Sequence, residues 1–163
     1  MRVFIPFTLT ALAAAHAEDR FATSGTAARA VTPALREWYV EGDLEELEYA
    51  AATDAAQASL RLLAADPAAP RRRVILAADV PDSAVVPTGE ERSAVVIGVE
   101  VHRRDVASVH VDDAAAEPVV VTAVGALTAA DAGDDDAQFL LDVAEATDLL
   151  WYDVMEIPQL GAQ

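Results

Sequence analysis

Residues 43–76, DLEELEYAAATDAAQASLRLLAADPAAPRRRVIL, place a long helix, its stop signal and a buried strand in direct succession, which makes this a mixed α and β chain. Asp43 with Glu46 three residues later has the form of a capping box. Leu44, Leu47, Ala51, Ala55, Ala58 and Leu62 recur at steps of three and four, so one amphipathic helix to about Ala65 is expected, with those six residues inward. Asp66-Pro67 and Pro70 end it, because proline has no amide hydrogen and restrains the residue before it. Val74-Ile75-Leu76 is short, apolar and rich in β-branching, the pattern of a buried strand.

Ala94–Ile97 repeats that pattern, and Pro81, Pro87 and Gly89 lie between the two runs. The two strands are therefore expected to pair antiparallel through the 81–92 loop, and the alternation at Val99 and Val101 places the exit from the core near Glu100. Toward the N-terminus, Val3-Phe4-Ile5 reads as a first buried strand, with Thr8 or Thr10 capping an alanine-rich helix to about His16. Ala27–Thr32 fits a second short strand, and Thr32-Pro33 opens a helix that runs to Val40 before Gly42. Toward the C-terminus, Val106, Val109 and Val111 fit either a short helix or an irregular strand. Asp112 and Asp113 then cap a helix from about Ala114 to Leu127, although Val119-Val120-Val121 favours a strand. Asp134, Asp135 and Asp136 suit the positive end of a helix reaching about Ala146. Leu149–Val154 closes the sheet, and Pro158 begins a short polar tail. Together these elements predict one α+β domain over residues 1–163, in two layers, with a mixed sheet of about five strands and helices mainly on one face; the alternative is a three-layer α/β arrangement.

The apolar fraction is 53%, but 37 residues are alanine, so bulk comes mainly from valine, leucine and isoleucine. All 11 basic residues are arginine and cysteine is absent. Disulfides, thiolate metal sites and cysteine nucleophiles are thereby excluded. The arginine-only usage, with the alanine, valine and aspartate excess, reflects GC-rich coding. Residues 1–104 carry 11 Arg against 15 acids, a net of −4, whereas residues 105–163 carry 13 acids and no Arg, a net of −13. Such a surface repels phosphate backbones and anionic lipid, so neither nucleic acid nor a membrane is an expected partner. No apolar stretch reaches the ~20 residues of a spanning helix. Arg2, the apolar run Val3–Ala15 and Ala15-His16-Ala17 resemble a secretory signal. Pro6, Thr8 and Thr10 interrupt the run, and a cytoplasmic location is expected; secretion is the alternative if residues 1–17 are cleaved.

The stretches MRVFIPFTL, VTPALREWYVEGDLEELEYAA, RRRVILAADVP, DVASVHVDD and LLWYDVMEIP resemble a family of small uncharacterised actinobacterial proteins, over nearly the whole chain. The resemblance implies a single intact domain whose opening strand belongs to it, and it implies no activity.

Three groups of residues can carry chemistry or binding. His102, His110, Asp112 and Asp113 combine two imidazoles with two carboxylates, a donor set for a divalent metal, although their spacing matches no zinc-hydrolase motif. Arg71, Arg72, Arg73, Arg103 and Arg104 lie at the ends of the expected central strands, where guanidinium groups can bind an anion bidentately; pairing with the chain's own carboxylates, or exposure to water, is the favoured reading. Trp38-Tyr39 and Trp151-Tyr152 are candidate interface anchors, with core packing the favoured reading in a chain of few large rings. The acidic loop Asp131–Asp136 lacks the order of a calcium-binding hand and reads as a helix cap. No glycine-rich phosphate loop and no nucleophile elbow is present, and no cofactor is predicted. The expected role is therefore non-catalytic, an acidic interaction or accessory protein for a basic protein partner. The alternative is a small enzyme or ligand-binding domain using the histidines with metal, or the arginines with an anion.

Overall fold

The computed structural model describes residues 1–39 and 41–161. Among them, seven strands form one open antiparallel sheet: β1 (Arg2–Phe7), β2 (Thr26–Ala30), β3 (Val74–Asp79), β4 (Val85–Pro87), β5 (Ala94–Ile97), β6 (Val106–Asp112) and β7 (Leu149–Tyr152), in the order β4-β5-β2-β1-β3-β6-β7. The helices are α1 (Leu9–Glu18), α2 (Pro33–Trp38), α3 (Leu44–Ala65), α4 (Glu117–Asp131), α5 (Asp135–Glu145) and α6 (Ile157–Leu160).

The fold is α+β, but the sheet has seven antiparallel strands in place of about five in a mixed sheet. Its helices occupy both faces. Val3 and Ile5 of β1 pack with Leu9 and Leu12 of α1 and Leu160 of α6, while Phe4 of the same strand packs with Leu47, Ala51 and Ala55 of α3. This is the period-two consequence of a strand buried on both sides. It replaces the expected two-layer arrangement. β3 and β5 do not pair with each other: β3 lies between β1 and β6, and β5 lies between β2 and β4. The loop 81–92 instead contributes β4, a three-residue edge strand whose Pro87 is tolerated where a donor is not needed.

Local signals set most helix ends. Thr8 accepts from the Ala11 amide at 3.1 Å, Thr32 from that of Leu35 at 3.1 Å, and Asp43 and Glu46 form the reciprocal capping box. The helix expected to run to Val40 ends at Trp38, and Val40 lies outside the described residues. Val106–Asp112 is a strand with a register shift opposite Ala77 and Ala78. Ala114–Ala116 forms a 3-10 turn, and helix proper begins at Glu117, where Pro118 fits the first turn. This α4 segment with its preceding turn is 18 residues long, with mean hydropathy 1.3; Val120, Ala123 and Leu127 pack against Leu60 and Leu63 of α3. The tail after Tyr152 is less polar in use than in composition, since Ile157 and Leu160 enter the core beside α1.

The buried stripe of α3 is rotated from the expected one. Leu47, Ala51, Ala55, Ala56, Ser59, Leu60 and Leu63 are buried, while Leu44 and Leu62 are exposed. The second half of α3 turns toward α4 and α5 instead of the sheet. Ser59 pins it, donating to the Phe7 carbonyl at 2.7 Å and accepting from the Val74 amide at 3.0 Å, so one hydroxyl joins the end of β1 to the start of β3. Leu63→Ala is expected to destabilise the domain by about 2–5 kcal/mol in urea unfolding, and Leu62→Ala by under about 1 kcal/mol; equal losses would contradict the rotated stripe.

Candidate functional site

Alternate positions on one face of the sheet bring Phe4, Ile75, Ala77, Ser108, His110, Leu149 and Trp151 to a common surface, through the pairs Phe4 with Ala77, Ile75 with His110, Ala77 with Ser108 and His110 with Trp151. Helix α3 covers β1 and β3 on this face, but β6 and β7 extend beyond it. The uncovered strip is an inner cleft of ≈ 390 Å³, bounded by α3 through Glu48, Tyr49, Ala52, Thr53 and Ala56 and by the segment from Glu145 to Leu149. Tyr49, Thr53 and Glu145 also line an open outer groove of ≈ 1600 Å³, which runs between α2, the first half of α3 and the turn 89–92.

The outer groove combines carboxylates and rings. Glu41, Glu45, Glu46, Asp54, Glu90, Glu91 and Glu145 line it with Trp38, Tyr39 and Tyr49, and Arg92 is its one cation among the described lining residues. The Arg92 guanidinium sits 3.6 Å from the centre of the Trp38 ring, the geometry of a cation–π contact. Glu91 pairs with Arg29 at 2.9 Å, and Asp54 accepts from the Ser93 hydroxyl. Glu45 and Glu90 enter no ion pair among the described residues.

Both tryptophans and two of the three tyrosines lie outward. Trp38 is 61%, Tyr49 68% and Trp151 60% exposed, and Tyr39 is also exposed, so core packing is corrected for three of the four expected aromatics. Tyr152 is the exception, partly buried against the α1-side core. Tyr49 lies off the apolar stripe of α3, and its one signal in the sequence is a large ring on the polar face of that helix.

The histidines do not meet. His110 lies on the cleft face, its Nε2 2.9 Å from the Ser108 hydroxyl. His102 lies in the loop after β5, on the α1 side, with Nδ1 2.7 Å from the Asp19 carbonyl and Nε2 3.5 Å from Glu100. Asp112 belongs to an ion pair, and Asp113 caps the turn at Ala115 at 2.8 Å. Among the described residues no group of three or more His, Asp or Glu side chains is placed to hold a metal. The Ser108–His110 pair has no carboxylate bonded to His110 among the described residues, so it lacks the orienting third member of a serine nucleophile. Burial, then the positive charge of Arg2, holds His110 below the ordinary histidine range.

The arginine run is drawn into the fold. Arg71 donates to the carbonyls of Leu63 at 2.7 Å, Ala69 at 2.9 Å and Asp66, closing the C-terminus of α3. Arg72 crosses to the α1 side and donates to the Asp112 carbonyl at 2.7 Å. Arg73 and Asp112, 2% and 0% exposed, form a bidentate pair with contacts of 2.9 and 2.7 Å. Arg73 also donates to the Thr147 carbonyl, and its amide donates to Asp112. Arg103 and Arg104 stand apart from this run: Arg103 donates to the His16 carbonyl and Arg104 is exposed beside Asp105.

An open antiparallel α+β domain with an acidic, aromatic-walled groove is the class these features define. Within it, the chain belongs to the family of unknown function DUF6912, which matches residues 1–160. No curated protein and no solved structure matches the chain. Its function is unknown, in agreement with that membership.

Two outcomes follow from this geometry. Asp112→Asn strands the Arg73 guanidinium without a counter-charge and is expected to cost about 3–5 kcal/mol in denaturant unfolding, whereas Arg104→Ala leaves stability unchanged within error. Because His110 has a lower pKa folded than its ordinary 6.5, its contribution to stability is complete above that value and is lost as pH falls through the folded value. His110→Gln is therefore expected to flatten the loss of stability on acidification below pH 6.5, measured as melting temperature against pH. An unchanged acid limb would contradict the burial of the imidazole.

Proposed function

We propose that this protein is a non-catalytic recognition domain whose outer groove receives an arginine- or lysine-rich segment of a basic protein partner. The observation that carries this reading is the Arg92–Trp38 stack, in which the chain's own guanidinium occupies a ring flanked by Glu90, Glu91 and Glu41. A partner cation meets the same chemistry at Tyr39 and Tyr49: the negative face of a ring, with carboxylates within reach. Exposed aromatic rings supply contact area at little conformational cost, and the acidic rim steers a cationic segment during encounter. The same rim disfavours nucleic acid and anionic membranes as occupants. A cytoplasmic location accompanies this reading, supported by the use of residues 2–7 as a central strand, since removal of residues 1–17 would take β1 from between β2 and β3.

The test is binding of a fluorescein-labelled peptide of alternating arginine and serine, followed by anisotropy. The expected result is saturable binding that weakens sharply between 50 and 500 mM salt, with the double variant Tyr39→Ala, Tyr49→Ala costing roughly 1–2 kcal/mol, or about five- to thirtyfold in Kd. Binding that falls with salt but is indifferent to loss of both tyrosine rings would reduce the groove to a diffuse negative surface and overturn the reading.

A further inference from the structure

We infer that the inner cleft is a separate binding site for an organic cation, a primary ammonium or guanidinium carried on an apolar stem, whether a free molecule or a basic side chain of a bound segment. This goes beyond the outer groove, because the cleft has its own floor, walls and polar end.

The cleft exists because the helical layer ends before the sheet does. Its floor is Phe4, Ile75 and Ala77 of the sheet, and Ala52 and Ala56 of α3 form the adjoining wall, small side chains that leave the space open. The exposed rings of Trp151 and Tyr49 flank it, so an apolar body is removed from water between flat surfaces. A cavity of this size, with an apolar floor and charged groups around it, suits a small ligand.

Charge selects the class. Two arginines border the cleft, and each has a carboxylate partner: Arg2 pairs with Asp79, with contacts of 2.8 and 3.0 Å, and Arg73 with Asp112. Glu48 and Asp148 enter no ion pair among the described residues, and Glu145 is met by the neutral amide of Gln57. An anion entering here faces three carboxylates, whereas a cation is attracted. At the inner end His110 has one ring nitrogen on Ser108 and no protein partner for the other among the described residues. In the tautomer whose Nε2–H donates to Ser108, Nδ1 is the acceptor that a ligand N–H needs.

The chain has two tryptophans, so Trp38→Phe leaves Trp151 as the sole reporter in the cleft. Phenethylammonium is titrated against this protein, with phenylacetate as the charge-reversed probe and a blocked Gly-Arg-Gly peptide as the side-chain source. The expected result is a saturable change in Trp151 emission with phenethylammonium, at least roughly tenfold tighter than with phenylacetate. Ala52→Leu, which fills the cleft from the α3 wall and removes no carboxylate, is expected to abolish it. A response to the peptide alone assigns the site to a side chain of a bound segment, and a response to the amine alone assigns it to a free molecule. Equal affinity for phenylacetate, or no saturable response to either cation, overturns the inference, and neither result depends on the filled variant folding. The complementary Trp151→Phe protein, in which Trp38 reports on the outer groove, separates the two ideas: a Trp38 response to the arginine-serine peptide with a silent cleft leaves the groove reading intact and removes this one.

Discussion

The buried pair of Arg73 and Asp112 joins three parts of the chain at one end of the β3–β6–β7 ladder. Arg73 stands at the entry to β3, Asp112 at the end of β6, and the Thr147 carbonyl, which Arg73 also holds, leads into β7. Burying two charges is costly, and the compensation here is geometric: two parallel charge-assisted bonds, a backbone amide on the carboxylate and a carbonyl on the guanidinium. The neighbours in sequence extend the same device. Arg71 closes α3 and Arg72 reaches the opposite side of the sheet, so three consecutive guanidinium groups secure a helix end, the β3–β6 pairing and the lead into β7. The placement of β6 and β7, and with it the uncovered strip of sheet, follows from this cluster.

That strip is a mismatch of widths. Seven strands are wider than the helices that cover them, and α4 and α5 stack on the second half of α3 instead of extending the layer over β7. A soluble domain ordinarily fills such a gap with bulk or covers it with a loop. Here alanine lines the floor and tryptophan and tyrosine stand exposed at the sides. Exposed rings beside unpaired carboxylates oppose burial in the chain's own core and suit a cationic occupant.

Element type was legible in the sequence where a local cap coincided with a periodic stripe, as at Thr8, Thr32 and Asp43. Strand pairing was not, because Val74–Leu76 and Ala94–Ile97 carry the same apolar pattern and nothing local records that β1 and β2 stand between them. β4 escaped because a three-residue edge strand ending in proline has no periodicity to detect. Pairing of the arginine run with the chain's own carboxylates was legible, but the partner was not, because Asp112 lies opposite Arg73 only in space. The charge asymmetry was a poor guide to the groove, whose carboxylates come mostly from residues 41–54 and 90–91, outside the most acidic segment. Trp38 and Trp151 were identifiable as candidates, yet their exposure depends on where helices end in three dimensions.

The central claim, that the aromatic and acidic face is a cation-recognition surface, is tested most directly by amide and indole NMR shifts of the whole chain during titration with an arginine-rich peptide. The account predicts shifts concentrated at Trp38, Tyr39, Tyr49, Glu90 and Trp151, fading together as salt is raised. Shifts spread over the acids of α4 and α5, with the indoles of Trp38 and Trp151 unmoved, would contradict it.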